Sequence, residues 1–365
     1  MKRSRARQAF DERLMAAYLI ALLIGMVMIY SASSILAESR FGSHWYFLKQ
    51  QVLWAMLSVA VIWVISRLDL QKLAIYSVPA LIVTFFLLLM VFNMPARNGA
   101  QRWLFLGPFS FQPSELFKFL LVIYLAFSLA NPKRNLNKLR ELFLPYGPII
   151  GLGLALIVAE PDLGTVIVII TTATGMFFLA GARVRHLAMV GAPAIAGGCF
   201  LVFGLGYKLS RVQSYVDALI DPLSGSYHVR QAALTLGSGG LLGTGLGDGR
   251  QKLFFLPYPH TDFIFASMGE EIGFIGLMVV VSLLGYILWR GCRIAARQPD
   301  KFGYLLGAGM TWSLFTNIAI NIGVVTALLP VTGLALPFFS YGGSSLLVSS
   351  ASLGVLLNLS RRMQR

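Results

Sequence analysis

Charged residues are scarce in this sequence, and their scarcity is the first constraint on the fold. Only 12% of the 365 residues are charged, whereas an ordinary soluble domain has about 25%. Hydrophobic residues make up 57% of the chain, and the mean hydropathy is +0.73. This composition excludes an ordinary soluble domain and predicts an all-α polytopic integral membrane protein.

Cysteine is also scarce, since the chain contains only Cys199 and Cys292. The first lies in a predicted membrane span and the second on the predicted cytoplasmic side, so we expect no disulfide between them. The sequence has no CxxC motif and no Cys/His spacing typical of a metal site. Cysteine chemistry therefore gives no candidate site.

Acidic residues are half as numerous as basic ones, 15 against 30, and the placement of the basic residues predicts a topology. With a cytoplasmic N-terminus, 20 of the 30 basic residues fall in cytoplasmic segments, in agreement with the positive-inside rule. The net charge of +15 is therefore interpreted as a topology signal and not as a nucleic-acid interface. We predict about ten transmembrane helices, N-in and C-in, with a large extracytoplasmic loop between spans 7 and 8; the spans are 14–34, 46–66, 73–93, 113–131, 143–159, 165–182, 187–207, 271–289, 304–327 and 344–360.

Three of the 15 acids lie in the stretch PYPHTDFIFASMGEE: Asp262, Glu270 and Glu271. One helix over 263–289 would be about 40 Å long and would exceed the roughly 30 Å hydrocarbon core. We therefore predict a short helix or turn at 261–269 and a span that begins near Glu271, which places Asp262 at the membrane rim. Asp is a good N-cap residue, so capping of the following helix is the alternative to a catalytic role for Asp262.

The segment FQPSELFKFLLVIYLAF places an acid and a base at the start of the fourth span. Pro113 is predicted at the first helical position, with Glu115 in the first turn. Lys118 lies about one turn further in, where a lysine must snorkel, pair or face a wet cavity. An ion pair with Glu115 and a role in binding an anionic substrate are both open. Arg102, in the preceding loop, is either a solvated cation or a second anion-binding residue.

The glycine-rich run GSGGLLGTGLGDG occupies residues 237–249. A nucleotide-binding loop would need a βαβ unit or a GK[ST] signature, and the sequence has neither. We predict a flexible outer loop, with a backbone nest for a lipid-linked phosphate as the alternative. Asp162 in PDLGT and Ser344 in SYGGSS are predicted helix N-caps.

These motifs together resemble the SEDS family, the shape, elongation, division and sporulation proteins. The matching stretches occur in the family's order and the ten-span layout covers nearly the whole chain, so we expect residues 1–365 to form a single SEDS-type membrane domain. Several stretches are more similar to the division and sporulation branch, FtsW and SpoVE, than to RodA. The stretches are NGAQRWLFLGPFSFQPSELFK (98–118), PDLGT (161–165), QKLFFLPYPHTDFIFASMGEEIGFIG (251–276) and NIGVVTALLPVTGLALPFFSYGGSSLL (321–347).

The resemblance implies a peptidoglycan glycosyltransferase of the bacterial cytoplasmic membrane. Such a protein polymerises Lipid II into β-1,4-linked glycan strands on the extracytoplasmic side, for septal or elongation cell-wall synthesis. In the family the aspartate of the TDF motif is regarded as essential for glycosyl transfer, and here it is Asp262. The matching positions Arg102, Glu115 and Lys118 belong to the family's polar cavity. The implied partners are a class B penicillin-binding protein and other divisome or elongasome membrane proteins, with no nucleic acid.

The resemblance also implies an inverting transfer, because the donor sugar is α-linked and the product bond is β. Asp262 would be the general base on the acceptor 4-hydroxyl, with a pKa raised by its partly shielded position. Candidates for stabilising the leaving pyrophosphate are Lys118, Arg102, Arg211 and Arg230. A divalent cofactor, Mg²⁺ or Mn²⁺, held by outer acids is an open alternative. A Lipid II flippase or transporter without glycosyl transfer is the alternative function.

The sequence departs from the family pattern near this motif. Glu160 stands where glutamine is commoner, and Tyr258 stands where an acid is frequent. His228 and Arg230 also alter the usual polar motif before Gln231. These departures bear on the contacts of the large loop and not on Asp262.

Overall fold

The computed structural model describes residues 10–96, 100–107, 109–134, 138, 140–141, 144–199, 203–204, 206, 209–220, 226–249 and 256–362. These ranges contain thirteen α-helices and one antiparallel hairpin. The helices are α1 Glu12–Phe41, α2 Tyr46–Ile65, α3 Leu70–Ile75, α4 Ser77–Val91, α5 Pro113–Leu129, α6 Gly147–Ala159, α7 Leu163–Leu179, α8 Val184–Cys199, α9 Leu209–Ile220, α10 Tyr227–Ser238, α11 Ile264–Ala296, α12 Lys301–Val325 and α13 Gly343–Arg362. The strands are β1 Leu104–Leu106 and β2 Phe109–Phe111.

Helices overlap every segment that the sequence predicts to span the membrane, and the all-α membrane fold is confirmed. Within the described residues, five helices are long and apolar enough to cross a bilayer: α1, α2, α11, α12 and α13. Helices α4, α6 and α7 are apolar but shorter. The count of ten spans and the orientation of the bundle therefore stay predictions.

Helix α12 lies at the centre of the bundle, where it contacts α5, α7, α11 and α13. Helices α5 and α13 are buried along most of their length. Small residues allow these close contacts. A Cβ on Gly354 of α13 would lie 3.1 Å from Ile65 Cβ and 3.2 Å from Ile62 Cα of α2. The bundle thus has an interior layer of helices that carries the polar residues described below.

Helix α11 is interrupted at Gly273, where φ is 67° and ψ is −173°. This backbone conformation is accessible to glycine and strained for other residues. The first half of α11, residues 264–272, therefore forms a short separate helix directly after Asp262. We predicted a short helix here but ended it at 269; the helix continues through Gly269 and breaks only at Gly273.

The glycine-rich run fills the interruption in α11. Gly243 has a φ of +83°, and a Cβ there would lie 2.6 Å from the carbonyl carbon of Glu271, so only glycine allows this approach. The run is therefore a hydrogen-bonded part of the bundle and not the flexible loop that we predicted. The backbone bonds across the interruption are Thr244 N to Glu270 O (2.9 Å), Gly245 N to Glu271 O (3.1 Å), Phe274 N to Gly240 O (3.0 Å) and Ile275 N to Leu241 O (3.1 Å).

Candidate active site

Asp262 lies in a turn whose backbone carbonyls are bound by distant segments. The turn is thereby attached to α12 and to the residues that precede α13, and the backbone fixes where the Asp262 side chain begins. The three bonds are Tyr341 N to His260 O (2.8 Å), Ser340 Oγ to Thr261 O (2.7 Å) and Asn321 Nδ2 to Asp262 O (2.9 Å).

The carboxylate of Asp262 is half-buried, and within the described ranges no donor forms a hydrogen bond with it. Helix α11 has Phe263 at its N-cap and no side-chain cap, so the capping alternative for Asp262 is wrong. A Cβ on Gly333 would lie 3.6 Å from Asp262 Oδ2, and the glycine leaves this space open. Burial raises the pKa of Asp262 to about 6, while the charge of Arg102 lowers it and that of Asp162 raises it.

Arg102 reaches the site from just before β1. Its Nε donates to Glu160 O at 3.1 Å, and its Nη2 donates to Pro161 O. Its Nη1 lies 3.6 Å from Asp162 Oδ1, and the side chain is 17% exposed. A guanidinium has five N–H donors, so Arg102 keeps donors for an anion while it is held by the α6–α7 turn.

Asp162 is buried and caps α7, as predicted. Its Oδ1 accepts from Thr165 N at 3.3 Å, and its Oδ2 accepts from Thr165 Oγ1 and Gln112 Nε2, each at 2.9 Å. Gln112 N donates to Ser344 Oγ at 3.0 Å. Ser344 lies inside α13, so its predicted N-cap role is wrong; it connects α13 to the end of the β1–β2 hairpin.

Glu160, at the C-cap of α6, is fully buried, and neither of its carboxyl oxygens has a hydrogen-bond partner in the described part of the chain. Burial, reinforced by the charge of Asp162, raises the pKa of Glu160 to about 8, against the opposing effect of Arg102. The Glu160 side chain is therefore mainly protonated at neutral pH. Arg102 binds the backbone of this turn and approaches Asp162, and it does not bind the Glu160 carboxyl.

Lys118 and Glu115 form an ion pair in the bundle interior, as the local spacing allowed. Lys118 Nζ lies 2.8 Å from Glu115 Oε1 and 3.3 Å from Asn317 Oδ1. The two side chains are only 4% and 8% exposed. Pro113 begins α5, with Glu115 in its first turn. The pairing alternative for Lys118 is confirmed.

Asn317 and Asn321 connect this ion pair to the Asp262 turn. They lie four residues apart on α12 and thus on one face, about 6 Å apart along the axis. Asn317 binds Lys118, and Asn321 donates both to Asp262 O and to Leu334 O at 2.7 Å. Neither asparagine was predicted from the sequence as a site residue. Their signal was a pair of asparagines at helical spacing in an apolar segment, where polar side chains join helices.

The site lies within a chain whose relatives are recognisable over almost its full length. Residues 12–365 match the family model FTSW_RODA_SPOVE, described as "Cell cycle protein". The chain belongs to the FtsW/RodA/SpoVE family. The resemblance inferred from the motifs is thereby confirmed.

Two relatives of this chain belong to the division and sporulation branch. The chain is 40% identical over 361 residues to the "Probable peptidoglycan glycosyltransferase FtsW" of Geobacter sp. (strain M18), with 98% of each chain covered. It is 41% identical over 347 residues to "Stage V sporulation protein E" of Bacillus subtilis (strain 168), with 94% of each covered.

Solved structures of the family share the fold. One is described as "Structural coordination of polymerization and crosslinking by a peptidoglycan synthase complex"; its matching chain is 28% identical, with a TM-score of 0.80 and coverage of 98% of this chain and 99% of that one. RodA of Thermus thermophilus is 28% identical, with a TM-score of 0.72 and 98% of each chain covered. The higher identity to FtsW and SpoVE agrees with the branch indicated by the motifs.

No contact between Arg230 and Asp262 occurs among the described residues. Arg230 lies on α10, and its guanidinium carbon is 5.9 Å from the ring centroid of Tyr227. Arg211 lies in α9, and its side chain is outside the described residues. In the described ranges, no three His, Cys, Asp or Glu side chains group so as to hold a metal ion. The divalent cation, Mg²⁺ or Mn²⁺, stays an open alternative.

Proposed function

We propose that this protein is a peptidoglycan glycosyltransferase that polymerises Lipid II into β-1,4-linked glycan strands. One observation carries the proposal: in a chain that matches the FtsW/RodA/SpoVE family over residues 12–365, the Asp262 carboxylate is half-buried, near Arg102, and without a protein hydrogen-bond donor in the described ranges. An unengaged carboxylate with a raised pKa is typical of a general base. Residues 1–365 would form a single membrane domain around it.

The reaction that fits this site is one in-line displacement. The acceptor 4-hydroxyl attacks the anomeric carbon of the α-linked donor, and Asp262 takes the hydroxyl proton. The bond from that carbon to the lipid pyrophosphate breaks, and its electron pair leaves with the pyrophosphate. The anomeric configuration inverts from α to β. General base catalysis of this kind contributes about 10²–10⁴-fold.

The leaving pyrophosphate needs positive charge close to Asp262, and Arg102 would supply it. Its side chain is partly exposed and is held by backbone carbonyls of the α6–α7 turn. Preorganised donors of this kind stabilise charge that develops in the transition state. Lys118 and Glu115 lie on α5, next to Asn317 of α12. They would support the site through Asn317 and through Asn321, which lies one turn further along α12 and binds the Asp262 carbonyl.

The site would face the extracytoplasmic side of the bacterial cytoplasmic membrane. Asp262 precedes α11, and the other end of this helix carries Arg290, Arg293 and Arg297. Basic residues of this kind mark the cytoplasmic end of a span. A class B penicillin-binding protein would supply the crosslinking step, as supported by the similarity to a chain of a peptidoglycan synthase complex that coordinates polymerization and crosslinking.

The test is polymer formation from purified Lipid II, with and without the cognate class B penicillin-binding protein. Wild type is compared with Asp262→Ala at equal folded yield, judged by monodisperse elution. We expect long glycan strands only when Asp262 is present. Equal polymer from both proteins would show that Asp262 is not the base.

The same preparations distinguish the alternative function. A flippase would move labelled Lipid II across vesicle membranes without making polymer. If a folded and otherwise active wild type moves the lipid but forms no glycan, the transferase proposal fails and the transporter takes its place.

Lys118→Met tests the deeper ion pair. The substitution leaves the Glu115 carboxylate buried without its cation, which costs about 3–5 kcal/mol when a buried pair is broken. We expect a lower folded yield and impaired turnover. The double variant Lys118→Met/Glu115→Gln removes both charges and separates folding from catalysis. If its polymer yield per folded molecule equals that of wild type, Lys118 has no part in the reaction.

A further inference from the structure

Helix α10 and the glycine-rich run after it form a hairpin beside the first half of α11. At the start of α10, the His228 ring centroid lies 6.2 Å from that of Phe263. At its end, a Cβ on Gly239 would lie 2.9 Å from Glu270 Cα. Helix α10 therefore runs in the same direction as residues 264–272, and the chain turns back at the interruption in α11.

The second half of α11 indicates how deep in the membrane this turn lies. Trp289 lies near its far end, with the guanidinium carbons of Arg290 and Arg293 at 5.8 and 5.3 Å from its ring centroid. Trp and Arg together mark a membrane interface. Phe274 is 15 residues earlier, or about 22 Å along the axis, within a hydrocarbon core of about 30 Å. The turn is hydrogen-bonded to Phe274 and Ile275, so it lies at the same depth.

The composition of the hairpin fits that depth. No charged residue occurs between Arg230 and Asp248. Three leucines at the turn are strongly exposed on the protein surface: Leu241 at 69%, Leu242 at 80% and Leu246 at 62%. The neighbouring α11 residues Phe274 and Ile275 are 54% and 53% exposed. The leucines thus extend the apolar outer surface of a membrane-spanning helix.

The backbone of the turn is also adapted to a medium without water. Irregular backbone is tolerated at membrane depth only where its polar groups find partners in the protein. Here the amides of Thr244 and Gly245 and the carbonyls of Gly240 and Leu241 bond to the two ends of the interrupted helix. The amide of Gly247 donates to Glu271 Oε2 at 3.2 Å. These bonds leave the apolar side chains to face outward.

We propose that residues 227–249 form a re-entrant hairpin whose leucine turn, Leu241, Leu242 and Leu246, contacts the acyl chains of the bilayer. The occupant is bilayer lipid because the leucines are continuous with the outer surface of α11, which is long and apolar enough to cross the membrane. This assignment goes beyond the proposed transferase activity and does not depend on it.

The test is a depth measurement on the full chain in lipid nanodiscs. In a Cys199→Ala/Cys292→Ala background, a nitroxide is attached at Leu242→Cys, and its collisions with oxygen and with a water-soluble nickel chelate are measured. Val279→Cys, 60% exposed in mid-α11, is the lipid-facing control. Lys133→Cys, in an exposed connection, is the water-facing control.

We expect the Leu242 label to behave as a lipid-facing label, with oxygen and nickel collision rates near those of Val279 and far from those of Lys133. Nickel collisions should be slightly more frequent than at Val279, because the turn lies about 7 Å further from the Trp289 end. Nickel collisions as frequent as those at Lys133 would overturn the proposal. Protection from both reagents would overturn it too, because that result indicates a protein contact, such as a second copy of this chain. Leu246→Cys repeats the measurement if Leu242→Cys does not fold.

Discussion

Asp262 and Glu271 lie nine residues apart in the same acidic stretch, and their carboxylates have opposite surroundings. Glu271 accepts from Ser31 Oγ at 2.7 and 2.6 Å and from Gly247 N at 3.2 Å. In the described ranges Asp262 accepts no hydrogen bond on its carboxylate. The turn that carries Asp262 is nevertheless bound through its backbone. The contrast separates a carboxylate used for structure from one left available to a substrate.

Asp262 lies just before the short helix 264–272 and Glu271 lies near its end. Glu271 joins α1, α11 and the glycine-rich run at the interruption in α11. That junction holds the end of the first half of α11, whose other end begins directly after Asp262.

Asp262→Asn should reduce polymerisation by about 10²–10⁴-fold, because the amide cannot take the proton of the acceptor hydroxyl. Its thermal unfolding temperature should equal or exceed that of wild type, since the substitution removes a carboxylate whose charged form is disfavoured by burial. Both quantities are measured on the same detergent-solubilised preparation. A variant that loses stability in step with activity would indicate a structural role for Asp262.

Glu271→Gln should behave in the opposite way. It replaces one acceptor oxygen by a donor that faces the Ser31 hydroxyl or the Gly247 amide, at a cost of about 1–3 kcal/mol in the free energy of unfolding. Polymerisation per folded molecule should stay close to wild type. Ser31→Ala is the matched control, because it removes the partner and keeps the carboxylate. If Glu271→Gln is stable but inactive, the contrast between the two carboxylates is wrong.

The activity of wild type should rise with pH through the pKa of Asp262, which is about 6. The base is active only when ionised, so kcat/KM should fall about tenfold per pH unit well below that value and level off above it. An initial-rate series from pH 4.5 to 7.5 measures this acidic limb. A profile that is flat down to pH 4.5 would exclude a buried general base.

Glu160→Gln should change only the pH dependence of stability. The pKa of Glu160 is raised in the folded protein from 4.5 to about 8, so its contribution to stability is complete below pH 4.5 and is lost as the pH rises through about 8. Glutamine resembles the protonated acid and has no such loss. The unfolding temperature of wild type should therefore fall, relative to Glu160→Gln, between pH 5 and 9, whereas exposed Glu12→Gln should show no such difference.

Local features of the sequence were predictive where the interaction was local. The Lys118–Glu115 pair spans three residues, the Asp162 cap of α7 spans three, and Pro113 begins α5. Residue type and helical spacing contain enough information for each of these features. Residue type and spacing alone favoured a helix cap at Asp262, and the resemblance to the SEDS family indicated a catalytic role.

Long-range backbone contacts could not be predicted in the same way. The glycine-rich run bonds to residues 270–275 through main-chain amides and carbonyls, which every residue possesses, so no side chain indicates the partner. The same holds for Arg102, whose partners include the carbonyls of Glu160 and Pro161. The glycines of the run allow the close backbone contact with residues 270–275, but they are equally typical of a flexible loop. The sequence therefore did not distinguish the two structures.

The interruption in α11 also constrains the order in which the protein can assemble. The carbonyls of Gly240 and Leu241 accept hydrogen bonds from the amides of Phe274 and Ile275. Each carbonyl is synthesised 34 residues before its donor. At about 5–20 residues per second, the delay is roughly 2–7 s. During that interval these carbonyls need water or the translocon as partners. The hairpin can therefore enter the bilayer only after α11 has followed it out of the ribosome, and a nascent chain that ends before Phe274 should keep this segment outside the membrane.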